Sequence, residues 1–93
     1  MFSFNLVNLR GIYPKRKKLI GVELADANLK EFSFEGANLR EANLKGANLE
    51  VNLKGANLKW CDLREASCNG ADLRDVNLLG SNFERANVIQ ADF

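Results

Sequence analysis

Ala37-Asn38-Leu39-Arg40-Glu41, Ala42-Asn43-Leu44-Lys45-Gly46 and Ala47-Asn48-Leu49-Glu50 follow one another without a gap, and each opens with the same phrase. A small residue, Asn or Asp, then Leu or Phe returns at five-residue intervals from Ala27 to Phe93. With the Leu or Phe as the centre of a unit, the frame extends back through Leu24, Leu19, Pro14 and Leu9 to Phe4. It slips once. Glu50 is followed directly by Val51-Asn52-Leu53, so the unit 47–50 is a residue short, and five-residue spacing then resumes from Leu53 to Phe93. A short fixed period of this kind signals a solenoid, in which each turn of chain buries its apolar side against its neighbours.

Neither a helix nor a half-buried strand explains the pattern. The first wants apolar residues at i, i+3, i+4 and i+7, the second strict alternation. A turn after every short extended arm does explain it. The residue two before each centre is small or apolar in nearly every unit, so the pair at i−2 and i points inward with the period of two that an extended chain imposes. All seven glycines, Gly46 and Gly55 among them, fall in the i+2 slot, where a tight turn favours positive φ.

The tandem phrase resembles the pentapeptide-repeat family over residues 22–93, and more weakly over 2–21. The resemblance implies an all-β fold, a right-handed four-sided parallel β-helix with one unit per side and four units per coil. The nineteen units then make about four and three-quarter coils. At roughly 4.8 Å per coil the rod is about 22 Å long. One side carries Phe4, Leu24, Leu44, Leu63 and Phe83 inward; the second Leu9, Leu29, Leu49, Cys68 and Val88. The third carries Pro14, Phe34, Leu53, Leu73 and Phe93, and the fourth Leu19, Leu39, Leu58 and Leu78. Beyond residue 50 these assignments assume that the short unit still turns one corner.

The 93 residues form a single domain, with 1–21 expected to be an irregular first coil or loop and 22–93 regular. Thirteen Lys and Arg against twelve Asp and Glu give a net charge of +1, neither the basic balance of a general nucleic-acid binder nor an acidic one. Met1-Phe2-Ser3-Phe4 has no basic leader and no long apolar run, so the expectation is a soluble cytoplasmic protein without a membrane span. Two cysteines, Cys61 and Cys68, and no His make neither a zinc site nor a disulfide framework, and both thiols are expected inside. No metal or cofactor is implied. The Asn and Asp at i−1 suit bonds to turn backbone better than catalysis by Asp62 or Asp72. A solid convex rod offers no catalytic cleft, so we expect no enzyme.

Departures from the repeat mark the candidate sites. Pro14 occupies a centre and Lys17 an inward slot, so the run Lys15-Arg16-Lys17-Lys18 should bulge outward, as a solvated loop or a contact for an anionic partner. Trp60 stands at i+2 on the fourth side near Arg40, Lys59 and Leu79. It is either a hot spot for a protein partner or a ring covering the stems of its basic neighbours. At the C-terminal coil, Phe83, Val88 and Phe93 suggest end-to-end homodimerisation, or a chain cut from a longer protein.

Outward charges sort by slot: i+1 leans basic and i+2 acidic, which suggests lateral pairs such as Arg40 with Glu41 and Arg64 with Glu65. The family's best-known activity is DNA mimicry directed at type II topoisomerases, which needs a long acidic rod; here the rod is short and its i+1 columns lean basic. The reading is therefore a non-enzymatic scaffold for an unidentified protein partner, with nucleic acid disfavoured. The alternatives are a nucleic-acid-directed or topoisomerase-modulating protein, and a purely structural spacer.

Overall fold

The computed structural model describes Leu9 and residues 13–93. Each five-residue unit ends in a β-turn closed by its own central residue. Ala42 N–H donates to the Leu39 carbonyl at 3.0 Å, Ala47 N–H to Leu44 at 3.0 Å and Ala56 N–H to Leu53 at 2.9 Å. Except in the turn Leu29–Phe32, the third residue of the turn is left-handed, with φ of 70° at Gly46, 63° at Glu41 and 61° at Trp60. Positive φ at this position alone is the demand of a type II turn. Where the slot is not glycine, the left-handed backbone costs roughly 1–2 kcal/mol.

Stacking follows from the turns. Parallel bridges join residues twenty apart, such as Lys18 with Asn38, Asn52 with Asp72 and Asp72 with Asp92. One rung shows the pattern: Asn57 N–H donates to Ala37 O at 2.9 Å, Leu39 N–H to Asn57 O at 2.8 Å, and Glu41 N–H to Lys59 O at 2.8 Å. Four units therefore close one coil, and the chain is a four-sided parallel β-helix.

The short unit 47–50 turns a corner of its own. Across it the bridges shorten to nineteen residues, as in Asn38 with Asn57 and Asn48 with Ser67, and the four sides keep their identity beyond residue 50. Val51 N–H reaches back only two residues, to the Leu49 carbonyl at 2.8 Å, so a γ-turn replaces the β-turn. The cost is local. Ser33 forms no bridge, although Phe34 N–H still donates to Asn52 O at 2.9 Å.

The core is the inward column of centres, lined by alanines. Leu19, Leu39, Leu58, Leu44, Phe34 and Leu53 are buried, as are Ala37, Ala42, Ala47 and Ala56 at i−2. Burying each large side chain contributes about 1.5–3 kcal/mol. Leu78 and Phe83 are half-buried against this core, whereas Val88 and Phe93 are exposed.

The basic run does not bulge, contrary to the expectation from Pro14 and Lys17. Arg16 N–H donates to Glu35 O at 2.9 Å, Lys17 N–H closes a turn on Pro14 O at 3.0 Å, and Leu19 N–H donates to Asn38 O at 2.7 Å. Pro14 is buried and gives up only the one N–H bond that a centre makes. Lys17 stays exposed, because its long stem keeps the ammonium in water while the backbone holds register. Leu9 is fully buried, and its carbonyl accepts Tyr13 N–H at 3.0 Å. The remainder of 1–12, including Phe4, lies outside the described residues.

Candidate functional site

The i−1 column is scaffold. Asn38, Asn43, Asn57 and Asn77 each accept, through Oδ1, the N–H two residues on, at 3.0–3.2 Å. Asp62 and Asp72 do the same at 3.1 Å and are also gripped by arginine forks. Arg64 reaches Asp62 at 2.8 and 2.6 Å; Arg74 reaches Asp72 at 2.9 and 2.7 Å. The Arg74 hydrogen bonds pull the Asp72 carboxyl down to about 2, and Arg64 lowers Asp62 in the same way. A carboxylate held ionised by a fork is a poor proton donor or acceptor near neutrality.

This pairing corrects the lateral one expected from slot order. Arg64 turns back to Asp62, and Glu65 instead receives Arg85 from the next coil at 3.2 Å. Residues i−1 and i+1 face the same way along the extended arm, while the left-handed i+2 residue is turned aside at the corner. Arg40 and Glu41 form no ion pair among the described residues.

Both cysteines are buried and unbridged, and burial pushes each thiol up to about 11. Cys61 Sγ donates to the Leu39 carbonyl at 2.9 Å. Among the described residues no acidic, Cys or His cluster could hold a metal, and no helix is long and apolar enough to cross a membrane.

The residues singled out around Trp60 share the fourth side on successive coils. Gly21 N–H donates to Arg40 O, Glu41 N–H to Lys59 O and Trp60 N–H to Leu79 O, at 2.8–2.9 Å. Trp60 is 52% exposed and Leu79 59%; Ile20, lower in the same column as Arg40, is 45% exposed. The indole lies against Gly80 of the next coil, where a side-chain carbon would overlap the ring.

The basic run divides at a corner. Lys15 lies on the third side and pairs with Glu35 at 3.1 Å, which lowers the Glu35 carboxyl. Arg16 shares that side, its Cγ against Gly36. Lys17 and Lys18 open the fourth side, where Lys18 bridges to Asn38 beneath Arg40. The repeat frame stacks Leu19 with Leu39 and Leu58, so these lysines share the side of Trp60.

Two further features lay outside the sequence-based candidates. A cleft of about 250 Å³ is lined by Tyr13, Pro14, Lys15, Glu31, Phe32 and Ser33. Its signal was Phe32 in a slot usually held by Ala; the ring sits edge-on to Phe34 at 6.3 Å. On the last coil, Ile89 is 65% exposed beside Val88 and Phe93, with Phe83 half-buried behind them.

The comparisons with known proteins agree with this geometry. The family model described as Pentapeptide repeats (8 copies) matches twice, over residues 18–50 and 51–88, dividing at the short unit. A pentapeptide repeat protein of the Arabidopsis thaliana thylakoid lumen is 29% identical over 86% of this chain and 67% of its own, with a TM-score of 0.54. HetL of Nostoc, involved in heterocyst differentiation regulation, is 32% identical over 81% of this chain, at a TM-score of 0.44. This chain covers only 38% of HetL. A second Nostoc pentapeptide repeat protein is 34% identical over 88% of this chain and 77% of its own, at a TM-score of 0.36. No curated protein matches in sequence. The repeat, the four-sided stack and the family-model match over most of the chain establish that it belongs to the pentapeptide repeat family, whose architecture is the right-handed quadrilateral β-helix.

Proposed function

We propose that this chain is a non-catalytic protein-interaction module of about four and three-quarter coils, and that its fourth side is the binding surface. The observation that carries the reading is the half-exposed Trp60, flanked by Arg40, Lys59 and Leu79 on a rigid backbone. Trp and Arg are enriched among the few residues that dominate binding energy, and a surface held by ladder hydrogen bonds loses little freedom on binding. Conversely, the buried thiols and the fork-held Asp62 and Asp72 leave these candidates no evident catalytic role. Affinity capture from cells of the native source tests the reading. A partner retained by the wild type and lost with Trp60→Ala is expected. Identical capture by both proteins contradicts it.

A second surface has its own observation. Val88, Ile89 and Phe93 each expose an apolar side chain on the last coil, which favours pairing of two copies through that coil. Light scattering at high micromolar concentration should give a dimer that Ile89→Ser returns to monomer. A monomer throughout removes this reading.

A further inference from the structure

On three sides of the helix cations meet carboxylates: Lys15 with Glu35, Lys30 with Glu50, Arg64 with Asp62, Arg74 with Asp72 and Arg85 with Glu65. The fourth side is different. It carries Lys17, Lys18, Arg40 and Lys59 against the single carboxylate Glu41, and none of these cations has an ion-pair partner among the described residues. Residues 1–12 contain no Asp or Glu, so the start of the chain has no carboxylate side chain to offer them.

Two of the other sides show how this lattice takes a carboxylate. On the first side Asn43 Nδ2 donates to Glu23 Oε2, one coil away, at 3.0 Å. On the second, Glu50 lies between Ser67 Oγ at 2.7 Å and Lys30 Nζ at 3.8 Å. In both, the i−1 side chain is the donor. The fourth side repeats these parts without the acid. Asn38, Asn57 and Asn77 commit Oδ1 to backbone N–H groups, and among the described residues their Nδ2 donors have no partner beside Arg40 and Lys59.

We infer that the fourth side docks an acidic, extended peptide segment of another protein, whose carboxylates take the places that Glu23 and Glu50 fill on the first and second sides and whose apolar side chain packs on Trp60 and Leu79. The inference rests on the interaction reading above and gives the partner its chemistry. Cations on adjacent coils stand about 4.8 Å apart, and alternate side chains of an extended peptide about 6.8 Å apart, within the reach of Lys and Arg stems. The exposed Ile20 and Leu79 flank the cations and favour a partner that carries apolar surface, which a phosphate backbone does not.

The test is fluorescence anisotropy with a labelled peptide in which glutamates flank a phenylalanine, with amide shift mapping by NMR. Binding should perturb fourth-side amides and weaken as salt rises. Joint replacement Arg40→Gln with Lys59→Gln should cost roughly tenfold or more in affinity, as should Trp60→Ala. Lys54→Gln on the third side should change it by less than about twofold. A lysine-for-glutamate version of the peptide should not bind. Absence of binding at millimolar peptide, equal loss with Lys54→Gln, or tighter binding to phosphatidylserine vesicles or duplex DNA than to the peptide each overturns the inference. Circular dichroism of each variant separates misfolding from lost contact. If a native partner is lost with Trp60→Ala while this peptide fails, the interaction reading stands and the acidic-segment inference alone falls.

Discussion

The indole of Trp60 rests on the Cα of Gly80, the residue directly above it in the stack. Two residues twenty apart in sequence thus share one surface, and a side chain at position 80 must displace the ring. Gly80 and Gly55 both have positive φ, of 73° and 71°, but nothing lies within 4 Å of the place a Cβ would take at Gly55. Gly80→Ala and Gly55→Ala should therefore both lose roughly 1 kcal/mol to the backbone. Only Gly80→Ala should shift the emission of Trp60, the single tryptophan, to the red as it swings into water. Equal emission from both variants contradicts the contact.

Substitutions in the inward column should scale with burial. Leu58 is fully buried and Leu78 half-buried. We expect Leu58→Ala to cost about 2–5 kcal/mol in urea unfolding, and Leu78→Ala distinctly less. The reverse order would place the core elsewhere.

The left-handed corners offer a gain. Glu41 sits at φ 63° with no ion pair among the described residues. Glu41→Gly relieves roughly 1 kcal/mol of left-handed strain, offset in part by the freer unfolded chain, so a net increase of up to about 1 kcal/mol is expected. A clear fall in melting temperature would contradict the turn geometry.

Acid stability should follow the arginine forks. The folded Asp72 carboxyl lies at about 2, below the ordinary aspartate value of about 3.9. A depressed folded value means that its contribution is fully present above pH ~4 and is lost as pH falls through about 2. Because the pair is exposed, the effect is small. Asp72→Asn should flatten the pH dependence of stability in that window, and carboxyl NMR should find the Asp72 midpoint near the bottom of the range. An ordinary midpoint would remove the fork in solution.

Thiol chemistry probes the interior from another direction. With burial raising both groups to about 11, Cys61 and Cys68 should stay protonated and unlabelled by a maleimide at pH 8 until the protein unfolds. Rapid labelling of the native protein would show the interior around Cys61 and Cys68 to be open.

The inward residues were legible because a five-residue period declares them: Leu39, Leu58 and their flanking alanines occupy the slots that turn chemistry assigns. Local signals also sufficed for the Asn38 and Asn57 side chains, whose bonds span two residues. Contacts between coils were not legible in the same way. Arg64 had Asp62 and Glu65 at similar sequence distance, and only the left-handed corner decides between them. The alignment of Lys59 with Lys18 and Arg40 depends on how the short unit turns, which a missing residue alone does not reveal, and the seat of Trp60 on Gly80 depends on the direction the indole takes from its left-handed corner. Pro14 and Lys17 misled for a related reason: the ladder tolerates one absent N–H, and a lysine stem is long enough to leave an inward slot.

The most direct measurement of the functional claim is the affinity of a captured native partner for two single variants, Trp60→Ala on the fourth side and Ile89→Ser on the last coil, by isothermal titration calorimetry. The account expects Trp60→Ala to lose roughly tenfold or more while Ile89→Ser binds like the wild type. Wild-type affinity in Trp60→Ala together with lost binding in Ile89→Ser would move the binding surface to the end of the helix and contradict the account.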